Sequence, residues 1–413
     1  MVVSVADGVR FNLESSLLLN EQEGIDQLEL SGIQVVKGCV ITNGDMQIMP
    51  MLSAWLSDAI RFNIISPNSA KTYARNLSYF LAFLVRHPLY KNHHLDEAFL
   101  DIQEHTIAEY IAYMKEELGL SSKTIRNRDA SVQAFFNNYL CATRGNKEAI
   151  RKDNPYSQGL LSPAPKSKLI EMCEIDELIA LLRCTESERE RALIQFMYDS
   201  GVRRSEVIKM KQYQIDDALN FGRKTFILDD NTLQVPSNYM PVFIDGVKGR
   251  RRESKPRYTL VSIESLTRVK RYQRSPLFRR YRRKLGNEAP AFLNAEGNKY
   301  TASAIGKLLG RLSKRALKRG YITRAIHPHM LRHGFAGAIL RSPDHGHDAI
   351  DRLITIQVCL GHSNIATTQV YTSLPYDIYG TLYSREGRIL RRYEIMARVW
   401  AKTKLKIMPG DEK

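Results

Sequence analysis

His329-Met330-Leu331-Arg332-His333 carries both a local structure and a chemistry in its spacing. His329 and Arg332 are three residues apart, so on a helix they project from one face, and an imidazole and a guanidinium can both reach a single anion. A pair on a helix surface accounts for the same spacing. Upstream lies Ser200-Gly201-Val202-Arg203-Arg204-Ser205-Glu206. Its Gly201 is what the end of a helix over 189–199 requires, and Ser205-Glu206 can cap or line the next helix. Downstream, Leu360-Gly361-His362 is followed nine residues later by Tyr371. Tyr371 is one of twenty tyrosines and His362 one of ten histidines, so neither is informative alone.

In this order the three segments resemble the tyrosine recombinase (phage integrase) family. Its catalytic domains carry an arginine in a Gly-x-Arg-x-Ser-Glu setting, a His-x-Leu-Arg-His box, and Leu-Gly-His before the tyrosine. The resemblance covers about 168–385, and the helical segment 50–142 is similar in kind and position to the family's core-binding domain. It implies a mainly α fold with a small antiparallel sheet: a helical, SAM-like core-binding domain and an α+β catalytic domain, together a C-shaped clamp on DNA. By the same resemblance Arg203 and Arg332 are the paired arginines, His329 and His362 the two histidines, and Tyr371 the nucleophile. Glu206 and His333 support them. The family also uses a lysine on a β-hairpin. Lys248, in a Val-Lys-Gly-Arg sequence between two expected strands, fits that place, but the turn to Arg257 is long and Lys255 is a rival. The implied activity is site-specific recombination or integration through a covalent 3′-phosphotyrosyl DNA intermediate, by a homotetramer on two DNA sites of a chromosome or mobile element.

Charge points the same way. Lys and Arg number 61 against 44 acids, a formal charge of +17, which favours a polyanion as partner. Residues 248–284 hold fifteen Lys or Arg against Glu253 and Glu264, so most of the excess is local. Its Arg250, Arg251, Arg252, Lys255 and Arg257, with Lys123, Arg126 and Arg128 near the start of a helix, are the expected contacts to the DNA backbone. With arginines and a lysine supplying positive charge, no Mg²⁺ and no other cofactor is expected. His327, His329, His333, His345 and His347 lack an adjacent glutamate or an evident third ligand, so no zinc site is expected either.

A chain of 413 residues implies two or three domains. Residues 1–47 read as short strands at 28–30, 33–36 and 39–41, parted by Gly32, Gly38 and Gly44, with no evident role. Ser66-Pro67 starts a helix carrying Tyr73, Leu77, Phe80, Leu81 and Leu84, a second helix covers about 106–118, and a third starts at Ser121-Ser122. Turn formers without periodicity make 143–167 a linker. Helices at 175–182 and 189–198 and strands at 225–228, 233–235, 241–244 and 258–261 follow, and 341–353 reads as a surface loop. Residues 386–413 are a helix and tail, expected to dock on a neighbouring subunit. The five cysteines lack a Cys-x-x-Cys spacing and are expected to be reduced. No apolar run suits a membrane helix, and charges at Asp7, Arg10 and Glu14 do not suit a signal peptide, so a cytoplasmic, nucleoid-associated protein is expected. Two other readings are a catalytically silent DNA-binding accessory protein, which predicts a broken catalytic position that is not found, and a type IB topoisomerase, against which the Leu-Gly-His box and the short helical domain argue.

Overall fold

A computed structural model describes residues 2–12, 33–94, 96–143, 148–165, 170–221, 226–228, 231–233, 235–246, 256–361 and 387–404. The chain divides into two compact units, Met1–Ser167 and Lys168–Lys413.

The first unit opens with strands β1 (Val2–Asn12) and β2 (Ile33–Thr42), paired antiparallel from Val2↔Thr42 to Asn12↔Ile33 with a register shift between Asp7 and Val9. Two of the short pieces expected here are therefore one strand, and Gly38 lies inside it. Helices α1 (Pro50–Arg61), α2 (Pro67–Leu84), α3 (Glu104–Glu116) and α4 (Ser122–Phe135) follow. Strand β2 is fastened to α1 by side chains: the Cys39 and Ile41 amides donate to Ser57 Oγ and Ser53 Oγ, each at 3.0 Å. Helix α2 begins where Ser66-Pro67 promised. Ser66 Oγ accepts from the Ser69 amide at 3.1 Å, and Pro67 sits where its missing N–H costs nothing. The face of α2 predicted to pack does so: Leu77, Phe80, Leu81 and Leu84 are buried with Phe99, Tyr110, Phe135 and Phe136. Each such side chain contributes about 1.5–3 kcal/mol on burial, and Phe99 and Phe135 meet edge to face at 4.9 Å.

The linker expected at 143–167 is, over 148–165, part of this unit. The Arg151 amide donates to the Leu140 carbonyl (2.8 Å) and its guanidinium to the Phe99 carbonyl (3.0 Å). Buried Asp129 accepts from Tyr156 Oη and the Ser162 amide, both at 2.8 Å. Turn formers route the segment, and two side chains and one carboxylate anchor it.

The second unit contains α5 (Ile175–Arg183), α6 (Glu188–Ser200), α7 (Arg204–Val207), α8 (Gln212–Leu219), β3 (Phe226–Leu228), β4 (Asn231–Leu233), β5 (Tyr239–Ile244), β6 (Arg257–Ser262), α9 (Ile263–Gln273), α10 (Pro276–Leu285), α11 (Ala302–Lys318), α12 (Pro328–Leu340), α13 (Ala349–Leu360) and α14 (Arg392–Lys402). Strands pair as antiparallel ribbons, β3 with β4 and β5 with β6, the latter from Tyr239↔Ser262 to Ile244↔Arg257. Mostly helical with small antiparallel sheets, this is the expected fold class. Helix α6 is the central pillar, buried at every position from Arg191 to Ser200.

Two expectations fail here. The segment 341–353 is no surface loop: it forms a short 3-10 turn, Pro343–His345, and the start of α13, and His345 is buried. The stripe on α14, expected to meet another subunit, closes this unit's own core through Ile395, Met396 and Val399. Its fully buried Arg392 pairs with Asp199 and donates to the Leu260 carbonyl (2.9 Å) and to His345 Nε2 (3.0 Å). A charge so deeply placed is costly unless it is paired, and these partners all lie in this unit.

Candidate active site

Three chain turns meet where α6 ends. Gly201 closes α6 in the left-handed region (φ 62°), and a Cβ there would lie 2.5 Å from the Phe335 ring, so the turn requires glycine. The chain then leads through buried Val202 to half-buried Arg203, which caps the short helix α7. Gly361 ends α13 in the same way (φ 65°), its missing Cβ leaving room for Arg257 Cδ. The third turn is the start of α12, where Pro328 occupies the first position and His329 follows, exposed.

Glu206 ties these turns together. Its buried carboxylate accepts from the Arg203 amide (2.7 Å), from the Arg203 guanidinium (3.0 Å), and from both terminal nitrogens of Arg257 (2.9 Å each). Burial would raise its pKa, but the Arg257 fork, the Arg203 amide and the Arg332 charge outweigh it and bring the carboxyl to about 2. Arg257 Nε donates onward to the Cys359 carbonyl at 2.8 Å. Arg332, buried on α12, donates to the carbonyls of Gly201 and Leu360, each at 2.6 Å. The two turn carbonyls thus hold one arginine while Glu206 holds the other two, and Arg203, Arg332 and the Leu360-Gly361 turn become one rigid assembly.

The histidines on α12 are tuned towards neutrality. Partial enclosure and the charges of Arg332, Arg203 and Arg204 lower the pKa of His329, and burial with the charges of His329 and Arg332 brings His333 to about 4. Their rings stand 6.3 Å apart. At neutral pH His329 is an uncharged, exposed imidazole beside fixed guanidiniums, able to accept a proton next to a bound anion.

Of the residues picked from sequence, Arg203, Glu206, His329, Arg332 and His333 lie in this region of the second unit. Lys248, Arg250, Arg251, Arg252, Lys255, His362 and Tyr371 lie outside the described residues. Lys123, Arg126 and Arg128 belong to the first unit. Lys123 is exposed there, Arg126 donates to the Ser162 carbonyl, and Arg128 covers the Tyr79 ring at 3.9 Å.

Arg257, expected among the cations facing DNA, is placed otherwise. It is buried and its guanidinium is committed to Glu206 and Cys359. The signal was strand alternation: Arg257, Thr259 and Val261 share one face of β6, and Thr259 Oγ1 donates to the Ser200 carbonyl at 2.8 Å. A cation on an inward strand face needs a buried carboxylate, and Glu206 is that carboxylate.

Comparisons with known proteins agree with this architecture. The "Phage integrase family" model matches residues 168–377 and the "Phage integrase, N-terminal SAM-like domain" model matches 52–143. Tyrosine recombinase XerC of Bacillus licheniformis is 30% identical over 277 residues, covering 65% of this chain and 75% of that one. XerC of Chromobacterium violaceum is 27% identical over 271 residues, covering 64% and 74%. Among solved structures, XerH site-specific recombinase bound to palindromic difH superposes with a TM-score of 0.51 at 21% identity, covering 74% of this chain and 76% of that one. The Tn1549 transposon integrase with transposon right end DNA also gives 0.51, at 18% identity, covering 79% and 96%. At these identities the solved structures speak for the fold, and the family models, with the boxes around Arg203 and Arg332, speak for descent: the chain belongs to the phage integrase family of tyrosine recombinases.

Proposed function

We propose that the protein is a site-specific DNA recombinase that breaks and rejoins strands through Tyr371. Attack of the Tyr371 oxygen on the scissile phosphorus forms a 3′-phosphotyrosyl ester while the bond to the 5′ oxygen breaks, so the energy of the phosphodiester is kept and no ATP is needed. A free 5′ hydroxyl of the second strand reverses the step and reseals the DNA.

The observation that carries this reading is the assembly around Glu206. Phosphoryl transfer adds negative charge to the non-bridging oxygens, and guanidiniums already fixed in place stabilise that charge without reorganising. Arg203 and Arg332 are held by a carboxylate and by the turn carbonyls, the second of which lies two residues before His362. A phenol has a pKa near 10, and neutral His329 supports removal of its proton. His362 hydrogen-bonds the phosphate, and Lys248, with Lys255 as the rival, protonates the departing 5′ oxygen, a role worth about 10²–10⁴-fold. Four subunits assemble on two sites, on DNA in the cytoplasm at the nucleoid.

The test is a plasmid carrying two copies of the target site. Expected is exchange between the sites by the wild type without ATP or added metal, and none by Tyr371→Phe. Relaxation of supercoils with no exchange would replace this reading by the topoisomerase one, and binding without either reaction would leave an accessory DNA-binding protein.

A further inference from the structure

Among the described residues of 248–284 the basic side chains do not form one surface. Helices α6 and α9 run antiparallel: at the C-terminal end of α6, Asp199 accepts from the Ser262 amide at the start of α9 (2.9 Å), and at its N-terminal end Glu188 pairs with Arg268 (2.7 Å). Helix α10 follows α9 to that second end, where Leu277, Phe278 and Tyr281 line a cavity together with Glu188, Arg189 and Tyr272. The arginines around Glu206 stand at the other end, beyond Gly201. A helix of thirteen residues is about 20 Å long, so α10 lies about that far from the phosphate-binding end.

Helix α10 reads Pro276-Leu277-Phe278-Arg279-Arg280-Tyr281-Arg282-Arg283-Lys284-Leu285. Phe278 is its buried anchor, at 5.1 Å from the Tyr272 ring. Helical spacing places Arg279, Arg280, Arg283 and Lys284 within one arc of about 140° on the opposite side, and all four are exposed. Among the described residues none of the four side chains has a hydrogen bond or ion pair, and α10 contains no acid. Arg271 in the last turn of α9 and Arg274 just after it extend the exposed positive surface. At i, i+4 spacing, Arg279 with Arg283 and Arg280 with Lys284 repel one another, so the folded unit gains nothing from them. A contiguous, uncompensated row of mainly guanidinium charge is complementary to a row of phosphates.

We propose that α10 is a second DNA-binding surface, holding the backbone of duplex flanking the segment on which the reaction takes place. The separation of about 20 Å corresponds to about six base pairs at 3.4 Å each. Once the reacting segment is bound, flanking phosphates on the same duplex are presented at high effective concentration, which favours them over unlinked DNA. The proposal rests on the recombinase reading only for where the reacting segment lies.

The experiment uses the full chain and its variant Arg279→Gln/Arg280→Gln/Arg283→Gln/Lys284→Gln. Both are titrated with the shortest duplex that gives the Tyr371 adduct and with the same duplex lengthened by ~20 base pairs at each end, across a salt series. Wild type is expected to bind the longer duplex on the order of tenfold more tightly at ~0.1 M salt, with a salt slope steeper by about 2–4. The variant loses that advantage and forms adduct on the short duplex at the wild-type rate, which also shows it to be folded. Equal wild-type binding of both duplexes, or an advantage that survives in the variant or moves to unlinked DNA, overturns the proposal. If no duplex gives an adduct but random-sequence DNA of the longer length still binds through α10, the recombinase reading fails and this surface stands.

Discussion

Two groups of cations, one near each end of α6, are held in opposite ways. At the C-terminal end three guanidiniums have assigned partners: Arg203 and Arg257 share Glu206, and Arg332 spans the carbonyls of Gly201 and Leu360. At the N-terminal end Arg279, Arg280, Arg283 and Lys284 are exposed with no partner among the described residues. Fixed charge suits a transition state, whose geometry is the same at every turnover. Free charge suits a polymer backbone that is met in any sequence and any register.

The comparison breaks most visibly at Arg332. Arg332→Ala should reduce cleavage on the order of 10³-fold or more while DNA binding changes far less, because removing a fixed transition-state charge acts on the chemical step. Single-turnover cleavage beside a binding titration separates the two effects, and an equal loss in both would make Arg332 a binding residue.

Arg257 sharpens it next. Arg257→Met strands a buried carboxylate, and breaking one side of a buried pair costs about 3–5 kcal/mol. Arg257→Met combined with Glu206→Gln should recover part of that stability in chemical denaturation without recovering cleavage, since Arg203 has then lost its ionic anchor. Recovery of cleavage along with stability would show that the pair serves folding alone.

The site should also mark the acid side of the stability profile. Folded His333, at about 4 against an ordinary 6.5, binds fewer protons than the unfolded chain between those values, so stability falls as pH drops through that window. Glu206, at about 2 against 4.5, contributes fully above 4.5 and loses its contribution as pH falls towards 2. Denaturation at a series of pH values should show both phases, with His333→Gln reducing the upper, to which His329 and His345 also contribute, and Glu206→Gln reducing the lower, to which Glu177 also contributes.

The smallest effect belongs to the other end of α6. Neutralising the four exposed cations of α10 should leave stability within about 0.5 kcal/mol of wild type, or raise it slightly by removing like-charge pairs. A large loss would mean that these side chains serve the fold.

Local signals were legible wherever one element carried them whole. Ser66-Pro67 marked the start of α2, short β-branched and aromatic runs marked β5 and β6, and the boxes around Arg203 and Arg332 picked out two arginines that the fold brings to one end of α6. Distant partners hid the rest. Strand β1 has its hydrogen-bonding partner some thirty residues on, so its sequence alone did not mark it. The segment 148–165 has the composition of a linker, and only Asp129, buried on α4, shows why it stays in place. The apolar stripe of α14 was plain, but an apolar stripe does not say whose core it enters. Arg257 was misplaced because a run of cations reads as one surface, whereas strand alternation turns its last member inward to Glu206.

The central claim, that the fixed arginines serve a covalent reaction at Tyr371, is tested most directly by trapping. Nicked duplexes tiled from the DNA flanking the gene are incubated with the protein without added metal, and SDS-resistant adducts are digested and mapped by mass spectrometry. Expected is a nucleotide adduct on Tyr371, lost in Tyr371→Phe and lost in Arg332→Ala. An adduct on another residue, or one that persists in Tyr371→Phe, would contradict it.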